Sequence, residues 1–244
     1  TGAMADFASK KDSDSLALIV AQTQTNLAAN QLKVQEVIAD AGYSSGKALS
    51  YLEQENIIGW IPNFGQYKAD RAGFIYNEHK QQYECIKEQG NKAVLTYKGI
   101  KTDSKGYQKQ SYRSSERDCK NCKWRVQCCG QSTKYKKIDD SIDKPYYDRM
   151  HEKLTNNARY AKRMVSVRSS TVEPVLGTLI NFRNMKRVNT RGIQQANKHI
   201  LMAAISYNLH KYLRYINKPI KMAQNAIKMS QNELKTALKN LIFL

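Results

Sequence analysis

A short apolar run closed by a carboxylate, Val34-Gln35-Glu36-Val37-Ile38-Ala39-Asp40, constrains this chain more than any other feature. It is too brief for a helix and reads as a buried strand of a parallel sheet. Gly42-Tyr43-Ser44-Ser45 then turns the chain, and a serine cap opens a helix through Ala48, Leu49, Tyr51 and Leu52. A second apolar run, Ile57-Ile58-Gly59-Trp60-Ile61-Pro62, supplies the next strand. Strand, helix and strand in that order predict an α/β layer. Upstream, Asp12-Ser13-Asp14-Ser15 offers N-caps for a helix carrying Leu16, Leu18, Ile19 and Leu27 at helical spacing. The opening Thr1 to Met4 is either a cloning remnant or the end of a strand running into Ala5-Asp6-Phe7-Ala8.

The pattern changes after Gly65. Residues 65–140 are rich in Tyr, Lys, Gln and Gly, with alternating pieces such as Phe74-Ile75-Tyr76 and Ala93 to Tyr97, and predict a small β-rich unit. From Asp143 the spacing is helical: a polar helix over Tyr146 to Lys162, another opening at Ser170, and a longer one over Ile193 to Ile216 that Pro219 is expected to break. A last amphipathic helix places Ile220, Ala223, Ile227, Leu234, Leu238 and Leu241 on one side, which packs on its own core or meets a second copy. The predicted division is therefore 1–64, 65–140, 141–217 and 218–244.

Lys and Arg number 40 against 21 Asp and Glu in 244 residues, a formal net charge of +19. Such an excess points to a polyanionic partner, because each neutralised phosphate releases counterions. At 41% apolar residues the chain is globular in composition. No apolar run approaches the ~18 residues that span a bilayer, and no signal segment opens the chain. The expectation is a soluble intracellular protein without a membrane partner.

Three constellations carry chemistry. Asp40 stands at the carboxyl end of a strand, where α/β sheets place ligands, or it merely begins the turn or caps the next helix. Glu173, in Arg168-Ser169-Ser170-Thr171-Val172-Glu173-Pro174, lies three residues after Ser170 and so fits a capping box. It also lies among Lys162, Arg163, Arg168, Arg183, Lys186, Arg187 and Arg191, cations suited to a phosphate bound beside a carboxylate, or else a solvated helix face. Cys119-x2-Cys122-x5-Cys128, with Cys129 adjacent and Cys85 upstream, has the knuckle spacing of a tetrahedral Zn²⁺ site. Cys85, Cys119, Cys122 and Cys128 are the expected ligands and Cys129 the outsider; free buried cysteines or a redox role are the alternatives. His79, His151, His199 and His210 are scattered, and the Met and Tyr positions of the last two helices read most simply as core.

The segment Val37 to Ser45 resembles the second acidic motif of bacterial insertion-sequence transposases of the DDE type, and Thr171 to Thr178 resembles their third. Ile61 to Tyr67 and the cysteine segment resemble the insertion that some of these families carry between the two. Thr190-Arg191-Gly192, Gln195 to Lys198 and Tyr207-Asn208-Leu209 match as well, so the resemblance runs to about Ile216. It implies an RNase H-like core with a small β-rich zinc-binding insertion and C-terminal helices. Asp40 and Glu173 would be two of three carboxylates holding Mg²⁺ or Mn²⁺ for DNA strand cleavage and strand transfer. Arg168, Arg183, Lys186, Arg187 and Arg191 would contact DNA, and the location would be the bacterial cytoplasm at the nucleoid.

Two departures accompany the resemblance. The first aspartate of such families lies on a strand before the segment resembling Thr1 to Ala8, so the core is expected to be incomplete at its N-terminus. Asp6, Asp12 and Asp14 follow that strand and are poor substitutes. The lysine often found seven residues after the glutamate is Ile180 here, and Leu176 stands in place of an aromatic; Arg183, Lys186 or Arg187 are the cations available to compensate. The chain alone is expected to bind DNA, the transposon ends and target, without cutting it, and to form a homodimer when complete. The competing expectation is a non-catalytic, zinc-stabilised DNA-binding module or transposase relic.

Overall fold

A computed structural model describes residues 2–65, 67–87 and 93–242; from 218 onward only the backbone is described, apart from 228 and 233. The chain divides into two compact units, Lys11–Ser166 and a second made of Thr1–Lys10 with Val167–Leu244. The class is mixed α/β.

The first unit begins with α1 (Asp12–Ala28), whose N-cap position is Lys11 without a side-chain cap. The Asp and Ser residues expected as caps therefore lie inside its first turn, where Asp12 and Asp14 favour the positive end of the helix dipole. Strand β1 (Glu36–Ile38) pairs in parallel with β2 (Ile58–Trp60), and α2 (Gly46–Gln54) crosses between them. The parallel pairing is as the apolar runs predict. Burial is not: Glu36 is exposed and Val37 and Ile38 only half-buried, since the described parallel sheet has two strands.

Local chemistry fixes both ends of α2. The Ser45 hydroxyl accepts from the Ala48 amide at 3.1 Å, the expected cap. At the other end Asn56 adopts φ +55, the Ile57 amide donates to the Leu52 carbonyl and the Asn56 amide to Glu53. This double bond is a Schellman ending, and the apolar contact that accompanies it is made by Leu52 and Ile57, both in the core. That core joins Leu16 and Val20 of α1, Ala48, Leu49 and Leu52 of α2, Ile57, Ile61, and Met150 of α5 (Lys144–Asn156).

Between these pieces lies an antiparallel meander, β3 (Phe74–Asn77), β4 (Gln82–Cys85), β5 (Val94–Thr102), β6 (Gln108–Ser114) and β7 (Lys137–Ser141), in sequential order. Helices α3 (Glu116–Lys120) and α4 (Arg125–Cys129) occupy the β6–β7 connection. One face gathers Phe74, Tyr83, Leu95, Tyr112 and Ile138. The sheet is curled: Asp140 of β7 accepts hydrogen bonds from Tyr83 of β4 and from Arg71, just before β3, although β3 and β7 are opposite edges. Asp140 is 3% exposed, so this ion pair with Arg71 closes the concave side around a buried charge.

Several helical expectations need correction. The segment Ala5 to Ala8 forms no strand, and Thr1 lies outside the described residues. The polar helix over Tyr146 to Lys162 is instead two helices, because Asn157 (φ −116, ψ 38) ends α5 and α6 (Ala158–Phe182) starts beyond it. Ser170 opens no helix but lies within α6, where its hydroxyl donates back to the Val167 carbonyl, as does that of Thr171. The capping box is thus absent: a hydroxyl bonded three or four residues back competes with the cap geometry. Pro219 does not end the last helix; α7 runs from Ile193 to Ile242. A proline inside a helix removes one backbone hydrogen bond, yet the helix continues through this position. The apolar side chains expected along that tail lie outside the described side chains. Met202, Tyr212 and Tyr215 are exposed and not core, because α6 and α7 bury few side chains in the second unit.

Candidate functional site

In the first unit the ends of β1 and β2 are joined by their loops. Asp40 closes β1 and is the N-cap of a single 3₁₀ turn, Ala41–Tyr43; its Oδ1 accepts from the Gly42 amide at 2.9 Å. Both expectations for Asp40 therefore meet: it sits at the carboxyl end of a parallel strand, and it caps the turn. Across from it the Ser44 hydroxyl bonds Asn63 Oδ1 at 3.4 Å, while Asn63 Nδ2 donates to the Tyr147 carbonyl at 3.0 Å.

A carboxylate that sequence spacing dismissed is also here. A methyl group built on Gly42 would lie 3.0 Å from Asp40 Oδ1 and 3.4 Å from Asp12 Oδ2, so two acidic oxygens flank one glycine. Burial raises the Tyr43 hydroxyl above its usual range, and the charges of Asp12 and Asp40 raise it further. Only the packing of α1 on α2 reveals this neighbour. Behind β2, Lys153 donates to the Gly59 carbonyl at 3.0 Å and lies 5.6 Å from the Trp60 ring. Burial lowers the pKa of its ammonium.

In the second unit Glu173 stands mid-helix in α6, with side-chain exposure of 57% and Arg168 at 3.7 Å. Pro174 follows inside the helix. Arg183, Lys186, Arg187 and Arg191 lie on the connection between α6 and α7. Arg183 Nη1 donates to Ser206 Oγ at 3.0 Å, while its buried Nε has no partner; Lys186, Arg187 and Arg191 are exposed. Asp40 and Glu173 thus belong to different units.

All five cysteines line one cavity beside the meander. Cys85 comes from β4, Cys119 from α3, Cys122 from the following turn, and Cys128 and Cys129 from α4. The Cys122 amide donates to the Cys119 carbonyl at 3.3 Å, which forms the knuckle turn. The Ser114 hydroxyl and the Cys119 thiol are 3.2 Å apart. Cys129, expected outside the group, lines the same cavity; burial first, with Cys119 and Cys128 adding, pushes its thiol up to about 11. No group of three or more His, Cys, Asp or Glu side chains among the described residues is arranged as a metal-binding cluster, at the cysteines or at the carboxylates. Among those residues no helix is long and apolar enough to cross a membrane.

No curated protein and no solved structure matches the chain. A family profile, described as transposase DDE domain, matches residues 85–213. That span includes the cysteines, Glu173 and the basic connection, and Asp40 lies before it. Because the match covers more than half of the 244 residues, this chain belongs to the transposase DDE domain family.

Proposed function

We propose that the chain contributes Asp40 and Glu173, on an RNase H-like core, to metal-dependent DNA strand cleavage and strand transfer in transposition, without cutting DNA by itself. The observation that carries this reading is the position of Asp40 at the carboxyl end of a parallel strand, in a member of a transposase family. Carboxylate oxygens suit hard cations such as Mg²⁺ or Mn²⁺. Asp40 and Glu173 would hold the metal, which when bound supplies Lewis acidity at a phosphodiester. Water attacking that phosphodiester releases a 3′-hydroxyl, and this hydroxyl then attacks the target strand.

The protein's own groups have separable duties. The Gly42 amide fixes the Asp40 carboxylate, and Arg168 at 3.7 Å restrains Glu173. Arg168, Arg183, Lys186, Arg187 and Arg191 hold backbone phosphates of the transposon ends and target, in keeping with the +19 charge. The cysteine segment holds a structural Zn²⁺, the protein acts as a homodimer, and its place is with DNA in the bacterial cytoplasm. One observation favours the alternative of a non-catalytic, zinc-stabilised DNA-binding module: both carboxylates already have structural roles, Asp40 as a cap and Glu173 beside Arg168.

The test uses Fe²⁺ with ascorbate and peroxide on the purified chain bound to DNA. Iron held by both carboxylates cuts the polypeptide near Asp40 and near Glu173, Mg²⁺ competes with both cuts, and Asp40→Asn or Glu173→Gln suppresses both. Cuts near one residue only, or cuts indifferent to Mg²⁺, favour the non-catalytic module.

A further inference from the structure

The meander has two faces of opposite character. One is the apolar and aromatic side around Leu95 and Tyr112, and strand alternation puts the intervening residues on the other. That outer side carries Lys98 and Lys101 of β5, Lys109 and Arg113 of β6, and Lys137 of β7. The carboxylate on the same side of β7, Asp139, is paired with Lys137, and Asp103 reaches Lys109 at 3.0 Å. A polar outer side is ordinary for an antiparallel sheet, and mixed signs would suit it. Here, however, Lys101 stands directly opposite Lys109, and Arg113 directly opposite Lys137. Facing residues lie about 4.5–5.5 Å apart at Cβ, and like charges there destabilise the sheet. A bound polyanion relieves that repulsion.

The same side is recessed. A hollow of about 690 Å³ lies over β5 and β6, walled by Tyr135 and by Ser115 and Glu116 where α3 begins. Arg113 sits over the Tyr135 ring, 3.4 Å from its centroid, and Glu116 is 3.7 Å from its guanidinium, longer than a hydrogen bond. A guanidinium held on an aromatic ring presents its N–H fork to a phosphate with little further ordering. Lys98, Lys101 and Lys137 are exposed around it, and the Thr96 and Ser115 hydroxyls line the same hollow. Because Arg113 covers the Tyr135 ring, the backbone of DNA fits here and its bases have no ring to stack on. Arg113 and Lys109 are four residues apart on one strand, roughly 14 Å, and β5 to β7 spans roughly 10 Å. Duplex DNA carries one charge per about 1.7 Å of its axis, so several phosphates fall within this field.

We propose that the outer face of the meander seats a stretch of duplex DNA backbone, with Lys98, Lys101, Arg113 and Lys137 on phosphates and the Thr96 and Ser115 hydroxyls donating beside them. The inference rests on the reading of the chain as a DNA binder and gives it a second contact surface. This surface belongs to the unit Lys11–Ser166, whereas Arg168, Arg183, Lys186, Arg187 and Arg191 belong to the other. Contacts of this kind position DNA without reading its sequence. They add to whatever salt dependence the other unit's cations set, because each neutralised phosphate releases counterions of its own.

The experiment compares two triple variants of the full chain by fluorescence anisotropy on duplex DNA across a salt series. Lys98→Gln, Lys101→Gln and Lys137→Gln together remove three of the phosphate contacts. Lys33→Gln, Lys47→Gln and Lys68→Gln remove the same charge from exposed positions outside the meander. The slope of log affinity against log salt should flatten by about 3 in the first variant and by less than about 1 in the second. A slope unchanged in the first, or flattened equally in both, overturns this surface and leaves DNA binding to the other unit. A loss confined to one of two unrelated duplex sequences also overturns it, since phosphates carry no sequence information. Failure of the wild-type chain to bind duplex DNA overturns both readings. Should the first variant fail to fold, lysine acetylation of the wild-type chain decides: DNA should protect Lys98, Lys101 and Lys137 several-fold. Equal labelling with and without DNA, or protection by polyglutamate alone, overturns the proposal, and the latter assigns the face to an acidic protein.

Discussion

Replacing Asp140 by alanine removes the charge on which the curled sheet closes. Its Oδ1 accepts from Arg71 Nε at 2.9 Å and from Nη2, and its Oδ2 accepts from the Tyr83 hydroxyl. The substitution therefore leaves a guanidinium and a phenol without their acceptor. Breaking a buried ion pair by removing one partner costs about 3–5 kcal/mol, and an orphaned hydroxyl adds about 1–3 kcal/mol. Arg71 retains 35% side-chain exposure, so water recovers part of this and the loss falls below the lower end of the sum, to about 3 kcal/mol. Urea unfolding followed by Trp124 fluorescence, in the same β6–β7 connection as four of the cysteines, should show a midpoint lowered by about 1–2 M. Tyr83→Phe should cost about 1 kcal/mol. Arg71→Met combined with Asp140→Ala should cost clearly less than the sum of the two single changes, because the stranded charge is gone. A loss below about 0.5 kcal/mol for Asp140→Ala, or strict additivity with Arg71→Met, refutes the clamp.

Gly46→Ala should destabilise the first unit by about 1–3 kcal/mol, because its new methyl would lie 2.0 Å from the Asp143 Cγ; adding Asp143→Gly should recover most of the loss in a thermal melt. Burial first, then hydrogen bonds with Asp148, Asp140 and Tyr76, hold Tyr67, Tyr83 and Tyr112 protonated well above their usual value of 10.0. A raised folded-state pKa gives stability that is complete below the unfolded value and lost as pH rises toward the folded one. Melting temperature should therefore fall steeply above about pH 10, and less steeply in Tyr83→Phe. If Arg168, Arg183, Lys186, Arg187 and Arg191 each engage a phosphate, the logarithm of DNA affinity should fall against that of salt with a slope of roughly −4 to −5. Changing Arg187 and Arg191 to Gln should flatten it by about 2, read by fluorescence anisotropy.

What the sequence disclosed was local. Residues 34–62 announce a parallel pair because two apolar runs flank a capped helix, and Ser45 caps it as written. The β-rich unit shows in its alternation. Asp140 did not stand out, since Asp139 and Asp140 are chemically alike and only strand parity separates them. Ile138 and Asp140 share the buried face, and that two-residue step was the available signal. Ser170 and Glu173 misled because the three-residue spacing of a capping box also occurs inside a helix, and only the length of α6 decides. Asp12 beside Asp40 and Cys129 beside Cys119 are products of packing, which no spacing rule reaches.

Every strand of the meander pairs with its neighbours in sequence, so most of the sheet can zip up through short loop closures. The exception is the join between β6 and β7, which carries α3, α4 and four of the cysteines. Closing a longer loop costs more chain entropy, so β7 is expected to dock after β3 to β6 have formed. Because β7 brings Asp140, the Arg71 clamp is a record of completed assembly: it forms when the slowest edge arrives. A folding intermediate with the first four strands paired and Arg71 still solvated would leave β6 without its β7 partner, and that open edge is prone to recruit a strand from another molecule.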